Sequence, residues 1–255
     1  MKKEPIYVAF ATQKGGAGKT TLTVLVASYL HYVKGYNAAV IDCDFPQHSI
    51  VEMRARDLRM ATDDEYYKWM AYEQFTRLGK KAYPIIASNA AEALADADHL
   101  ISQRDFDFIF FDLPGTVNSP GVLSTLMNVD YIIAPIVADR VVAESTLNYL
   151  IALREQIEAT GKTHIKEIRL LWNLVDGREK SELYEVYEAV IEELKFKILK
   201  TFIPDSKRYR REQSIEHRAL FRSTLFPVDK SLVKGSNLNA LVDELLELFN
   251  VTGHE

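Results

Sequence analysis

The chain has 255 residues, of which 47% are hydrophobic and 26% charged, with a net charge of −5. That is enough chain to bury a large core without covalent staples, and too acidic a balance for the whole molecule to act as electrostatic glue for nucleic acid. Its single cysteine, Cys43, excludes a disulfide framework and a cysteine-built metal or iron–sulfur site within one chain. About seven apolar residues precede the first polar loop, too few for a signal peptide or a membrane span, so a cytoplasmic location is expected.

Short apolar runs alternate with longer amphipathic ones. The runs predict strands at Ile6–Thr12, Ala38–Asp42, Pro84–Ser88, Asp107–Leu113, Tyr131–Val137, Ile168–Val175 and Ile198–Ile203. Several are apolar almost throughout, as parallel strands covered on both faces are. Helices are predicted at Lys19–Lys34, His48–Ala61, Asp64–Gly79, Ala90–Ser102, Val141–Thr160 and Glu179–Lys195, with Gly35 and Gly161 as stop signals. The alternation implies an α/β fold with a doubly wound, mostly parallel sheet and helices on both faces. Repeats, low-complexity tracts and Pro/Gly-rich linkers are absent from the sequence, so one domain over residues 1–255 is expected.

The first strand feeds the stretch "ATQKGGAGKTT", and a helix follows from Lys19. Strand, glycine-rich turn and helix in that order form a phosphate-binding loop, or P-loop. Gly15, Gly16 and Gly18 let the backbone N–H groups around Ala17 turn inward on phosphate oxygens. The helix N-terminus, with Thr20 and Thr21, adds partial positive charge. Lys19 is expected at the β- and γ-phosphates and Thr20 at Mg²⁺. The spacing nevertheless departs from G-x-x-x-x-G-K-[ST]. Gln13 stands where the first glycine belongs, and a second lysine, Lys14, follows it.

The form Lys14-Gly15-Gly16-Ala17-Gly18-Lys19-Thr20 resembles the deviant Walker A motif of ParA/MinD-family ATPases. The resemblance implies that Lys14 reaches across a dimer interface to the partner's ATP, which makes the homodimer ATP-dependent. Read without it, Lys14 is a solvated loop lysine.

Two acidic motifs end predicted strands, where nucleotide sites lie in such sheets. "IDCDFPQ" resembles the family's D-x-D-P-Q, with Asp42 and Asp44 as its carboxylates and Phe45 inserted before Pro46. The resemblance implies that Asp44 positions the attacking water near the metal. Alternatively, Asp42 and Asp44 cap the helix that follows. "FIFFDLPG" places Asp112 at the end of a buried strand, the Walker B arrangement that holds Mg²⁺ opposite Thr20. Family members usually read D-x-P-P-G, so Gly115 corresponds to a glycine whose N–H meets the γ-phosphate. The resemblance also implies base contacts at Asn173, Pro204 and Asp205, although each could simply end a strand.

Segment Lys200–Lys234 carries nine basic and four acidic residues, hence +5 in a chain of −5, which leaves −10 on the remainder. Such segregation is expected to place duplex DNA on Arg208, Arg210, Arg211, Arg218 and Arg222, or else to form a solvated face. The last predicted helix, in "SNLNALVDELLELFN", opposes a leucine stripe to Asp243, Glu244 and Glu247. An acidic polar face suits core packing, and a membrane-associating helix wants a basic one. The resemblance thus implies a ParA-type ATPase in plasmid partition or conjugative transfer, stimulated by a centromere-binding or transfer protein. A MinD-like membrane role and an ATP-dependent ligase of the dethiobiotin synthetase type remain as alternatives.

Overall fold

The computed structural model describes residues 4–116, 121–177, 182–210 and 219–251. Its strands are β1 (Ile6–Phe10), β2 (Ala38–Asp42), β3 (Ile85–Ala87), β4 (Phe108–Asp112), β5 (Tyr131–Ile136), β6 (Glu167–Trp172) and β7 (Lys197–Ile198). They form one sheet in the order β3-β2-β4-β1-β5-β6-β7, and every pairing is parallel. The helices are α1 (Lys19–Tyr32), α2 (Ser49–Asp63), α3 (Glu65–Leu78), α4 (Ala93–Gln103), α5 (Val122–Met127), α6 (Arg140–Thr160), α7 (Glu182–Glu193), α8 (Lys230–Val233) and α9 (Leu238–Leu248).

Alternation along the central strands builds a core on each face. Val8, Phe10, Phe108 and Phe110 pack with residues of α1, α2 and α9 on one face. Ala9, Ile109, Phe111 and Ile132 pack with residues of α4, α5, α6 and α7 on the other. Both faces are therefore dry, which is why these strands read as unbroken apolar runs.

Helix α9 packs as expected: Leu238, Leu241, Val242, Leu245 and Leu246 are buried. Its acidic face is tied down as well. Asp243 takes Lys34 Nζ at 2.6 Å, and Glu244 accepts the N–H groups of Lys200 and Thr201 at 2.7 and 2.8 Å. Among the described residues, no helix is long and apolar enough to cross a membrane.

Three elements differ from expectation. The predicted strand Ile198–Ile203 is a regular ladder with β6 only at Lys197 and Ile198; beyond it Leu199 and Ile203 donate N–H groups to Leu170 O and Trp172 O at 2.8 Å, and a bridge joins Val175 to Pro204. Helices α5 and α8 are additional to the predicted helices; with six and four residues they are too short to show a helical period.

The strand order decides where chemistry can occur. β1 lies between β4 and β5, and β4 lies between β1 and β2. The register pairs Asp42 of β2 with Asp112 of β4 at the C-terminal ends of their strands. The loop after β1 therefore meets both acidic motifs at one edge of the sheet.

Candidate nucleotide-binding site

The loop joining β1 to α1 turns on Gly16 (φ +80°) and Gly18 (φ +96°). A Cβ at Gly18 would lie 2.4 Å from Asn173 Nδ2, so backbone angle and close approach both demand glycine there. Asn173, expected at the base, is 4% exposed and donates its amide N–H to Ala17 O at 2.7 Å. The Asn173 amide thus braces the P-loop from the sheet side. Gln13, Lys14, Gly15 and Gly16 are exposed at the crest. Lys14 thus points its charge outward from a loop held rigidly beneath.

Lys19 begins α1 and is half-buried. Burial lowers its pKa, while the charges of Asp112 and Asp44 pull it back up. The ammonium is therefore partly stripped of water yet close to two carboxylates, a favourable setting for a phosphate-binding cation.

Thr20 Oγ1 donates to Asp112 Oδ2 at 2.8 Å, and the other oxygen, Asp112 Oδ1, is buried with no hydrogen-bond partner. A buried carboxylate oxygen without a donor is costly, and a cation would relieve it. Among the described residues, no group of three His, Cys, Asp or Glu forms a metal cage. The donor set instead fits Mg²⁺, which is commonly held by one or two carboxylates together with substrate phosphates. Thr20 and Asp112 are the residues that would hold it.

Gly115 closes this side of the site. A Cβ there would lie 2.6 Å from Gln13 O and 3.2 Å from Lys19 Nζ. Only glycine lets the chain after β4 approach the P-loop this closely.

Desolvation pushes the Asp112 carboxyl up to about 7, with Asp42 and Asp44 adding to the rise and Thr20 and Lys19 opposing it. The ordinary value is 3.8, so the folded state holds this proton more tightly than the unfolded chain does. Its stabilising contribution is complete below the ordinary value and disappears as pH rises through about 7. Each tenfold difference in proton affinity is about 1.4 kcal/mol. Urea midpoints of the metal-free protein should therefore fall between acidic and neutral pH. Asp112→Asn should flatten that fall, and an unaltered pH profile in the variant would contradict the assigned burial.

The two carboxylates of β2 and its following loop divide their roles. Asp42 Oδ2 accepts the N–H groups of Ile50 and Val51 at 2.9 and 3.0 Å, which satisfies the start of α2. The capping alternative is thus realised at Asp42. Asp44 is half-buried, and its carbonyl accepts the N–H groups of Gln47 and His48 at 2.8 and 3.0 Å. Its charge reaches both Lys19 and Asp112. The inserted Phe45 is 69% exposed. Pro204 bridges to Val175, and exposed Asp205 donates its N–H to Val175 O at 2.8 Å.

The two arginines of the basic segment whose side chains are described go to different places. Arg208 donates to Ser206 Oγ, Leu232 O and Lys234 O at 3.1, 2.9 and 2.6 Å, so it clamps the end of α8. The side chain of Arg210 and the whole of Arg211 and Arg218 lie outside the described residues. Arg222 comes to the nucleotide site, where its Nη1 donates to Thr21 Oγ1 at 2.7 Å.

Sequence reasoning misses this last contact. Its support is a buried brace around Asp57 of α2. Asp57 Oδ2 accepts from Ser223 Oγ, Thr224 N and Thr224 Oγ1 at 2.9, 2.7 and 2.8 Å. Arg54 adds bonds to Thr224 Oγ1, Thr224 O and Tyr83 O at 3.0, 2.8 and 3.0 Å. A signal existed in the sequence: Asp57 falls in the buried stripe Ile50, Met53, Asp57, Met60, and a carboxylate on an apolar stripe needs partners.

A family model for the CobQ/CobB/MinD/ParA nucleotide-binding domain matches residues 8–217. The chain belongs to this family. An uncharacterised protein of Borreliella burgdorferi is 32% identical over 123 residues, which is 42% of this chain and 49% of that protein; the match thus spans about half the relative's length. Among solved structures, an ATP complex of Cyanothece McdA matches with TM-score 0.63 and 16% identity over 98% of each chain. A Borrelia burgdorferi plasmid partition protein matches with TM-score 0.54 and 17% identity over 97% of this chain and 98% of its own. The pNOB8 ParA bound to nonspecific DNA matches with TM-score 0.59 and 17% identity over 98% of this chain and all of its own. At these identities the structural likeness speaks to fold.

Proposed function

We propose that this protein is a ParA-type ATPase. Binding and slow hydrolysis of Mg-ATP would switch a homodimer that positions or partitions DNA, in plasmid partition or conjugative transfer. The observation that carries this reading is the convergence of Lys19, the Thr20–Asp112 pair and Gly115 on one point at the end of β1. The loop amides bind the phosphate chain, and Lys19 meets the charge that develops on the γ-phosphate. Asp44 orients a water in line with that phosphate. Thr20 and Asp112 would hold Mg²⁺, which would supply neutralisation of the phosphate charge. Lys14 from the partner subunit supplies a further cation, so chemistry waits for dimerisation. A centromere-binding or transfer protein is the expected stimulator, and the cytoplasm the expected compartment.

Family membership supports nucleotide binding, and the acidic outer face of α9 favours a DNA role over a MinD-like membrane role. Phosphate release from ATP should require Mg²⁺, remain slow alone and need no second substrate. Turnover that depends on an added small carboxylic acid would transfer the protein to the ligase class, and ATP-dependent binding to liposomes would favour the membrane role.

A further inference from the structure

We propose that Arg222 is a positioning residue for the nucleotide phosphates, acting through the hydroxyl of Thr21 in the first turn of α1. This rests on the Mg-ATP reading above, which puts phosphate at that helix end. Arg222 Nη1 donates to Thr21 Oγ1 at 2.7 Å. A guanidinium can only donate, so the threonine oxygen accepts and its own O–H is left to donate elsewhere. Thr21 is half-buried, and among the described residues its side chain makes no other hydrogen bond. An unused donor therefore stands beside Thr20, the residue paired with Asp112.

The arginine does two things to that donor. It occupies the hydroxyl oxygen, which turns the hydrogen away from the guanidinium. It also places a cation behind the oxygen, and a charge-assisted bond into a hydroxyl polarises its O–H and strengthens it as a donor. The acceptor that suits such a donor at a helix N-terminus is an anionic oxygen, since the backbone N–H groups and the helix dipole favour the same charge.

A buried strap laid along α1 delivers Arg222 to this place. Thr21, Ser28 and Tyr32 follow one another at helical spacing, so they share one face of α1. Residues 222, 223 and 224 meet them in the same order. Arg222 takes Thr21, Ser28 Oγ donates to Ser223 O at 2.8 Å, and Tyr32 Oη donates to Thr224 O at 2.8 Å. From α2, the buried carboxylate of Asp57 accepts from Ser223 Oγ and from both Thr224 N and Thr224 Oγ1. From α3, Gln74 donates to Leu225 O at 2.9 Å. Three successive carbonyls are thus satisfied by side chains, as a buried loop requires. A slip of one residue would break these bonds together. The strap therefore fixes the register that sets Arg222 against Thr21, and little freedom remains to be lost when phosphate arrives.

The test is a double-mutant cycle on the full-length protein, with Mg-ATP affinity read by calorimetry. The variants are Arg222→Met, Thr21→Val and the two together, and thermal melting without nucleotide checks that each is folded. Thr21→Val should bind Mg-ATP about tenfold more weakly, the size of one hydrogen bond to a charged group. Arg222→Met alone should weaken binding about threefold to tenfold, because the hydroxyl stays but loses its orientation and its polarising charge. In the Thr21→Val background the same arginine change should cost under about twofold, since the hydroxyl it acts through is gone. In a Thr21→Ser background, which keeps a hydroxyl, the full loss should return. The same cycle with Arg222→Gln replaces the methionine variant if the latter melts too low to assay. Equal losses in the threonine and valine backgrounds overturn the proposal, because a strap that only stabilises the fold, or an arginine that touches phosphate directly, gives that result. Wild-type affinity in folded Arg222→Met overturns it as well. Both of those outcomes leave the ATPase reading intact, whereas a wild-type protein that binds no Mg-ATP overturns the two together.

Discussion

Lys14→Ala should retain much of the affinity for ATP and lose the ATP-dependent dimer. On the proposed reading the phosphate chain within one subunit is served by Lys19, the N-terminus of α1 and the loop amides, and none of these needs Lys14. Gly16 and Gly18 set the turn, and the Asn173 bond to Ala17 holds it from beneath. Lys14 sits on the exposed crest of that loop. On the ParA-type reading its ammonium is buried only when a second subunit covers it. Truncating one member of a buried charge pair at an interface costs about 2–5 kcal/mol, and a twofold dimer contains two such pairs. The dimer should therefore vanish at micromolar protein. Hydrolysis should fall by about 10³-fold or more, as when a transition-state cation supplied in trans is removed. Light scattering with and without Mg-ATP, beside nucleotide titration of the monomer, measures both effects. A variant that still dimerises on ATP would remove Lys14 from the interface.

Much of this site is legible in the sequence because its parts are local. Gly18-Lys19-Thr20 is contiguous, and each element around it is a short apolar run with a clear end. The strands Ala38–Asp42 and Phe108–Asp112 stop on their carboxylates in the structure as in the sequence. Their pairing, Asp42 opposite Asp112, follows once β2 and β4 are adjacent. Adjacency is set by crossover connections that leave no trace in residue order, so only the folded chain shows it.

What the sequence hid was long-range and polar. Asn173 has the residue type of a base contact, yet its amide serves Ala17, 156 residues away. Arg208 and Arg222 belong to one basic run but go to different places: one clamps α8 and the other reaches Thr21 across 201 residues. Charge counting treats a segment as a surface, and folding sorts its side chains one by one. The sheet edge shows the same limit. Ile198–Ile203 has strand composition, but it forms a regular ladder with β6 only at its start, and tertiary context overrides propensity.

Asp44→Ala should bind Mg-ATP, dimerise and hydrolyse about 10²-fold more slowly or worse, the usual loss for a positioned proton-transfer group. The three carboxylates at the sheet edge have separable duties, which makes the prediction specific. Asp42 is committed to the N–H groups of α2, so its removal should unfold the start of that helix rather than slow chemistry selectively. Asp112 is paired with Thr20 and has an oxygen in need of a cation, so its removal should weaken metal-dependent binding. Asp44 alone is half-exposed at the loop, with its charge felt by Lys19 and Asp112 but its side chain not capping α2. It is therefore the carboxylate placed to hold water against a bound γ-phosphate. If it does so, the variant accumulates as a long-lived ATP-bound dimer, visible as an undiminished dimer mass together with a lost phosphate-release rate. The loop after Asp44 is one residue longer than the D-x-D-P-Q pattern, with Phe45 standing out into solvent. Wild-type turnover in Asp44→Ala would mean that this extra residue has handed the water to another group. The same assay on Asp42→Ala and Asp112→Ala then separates a folding loss from a metal loss.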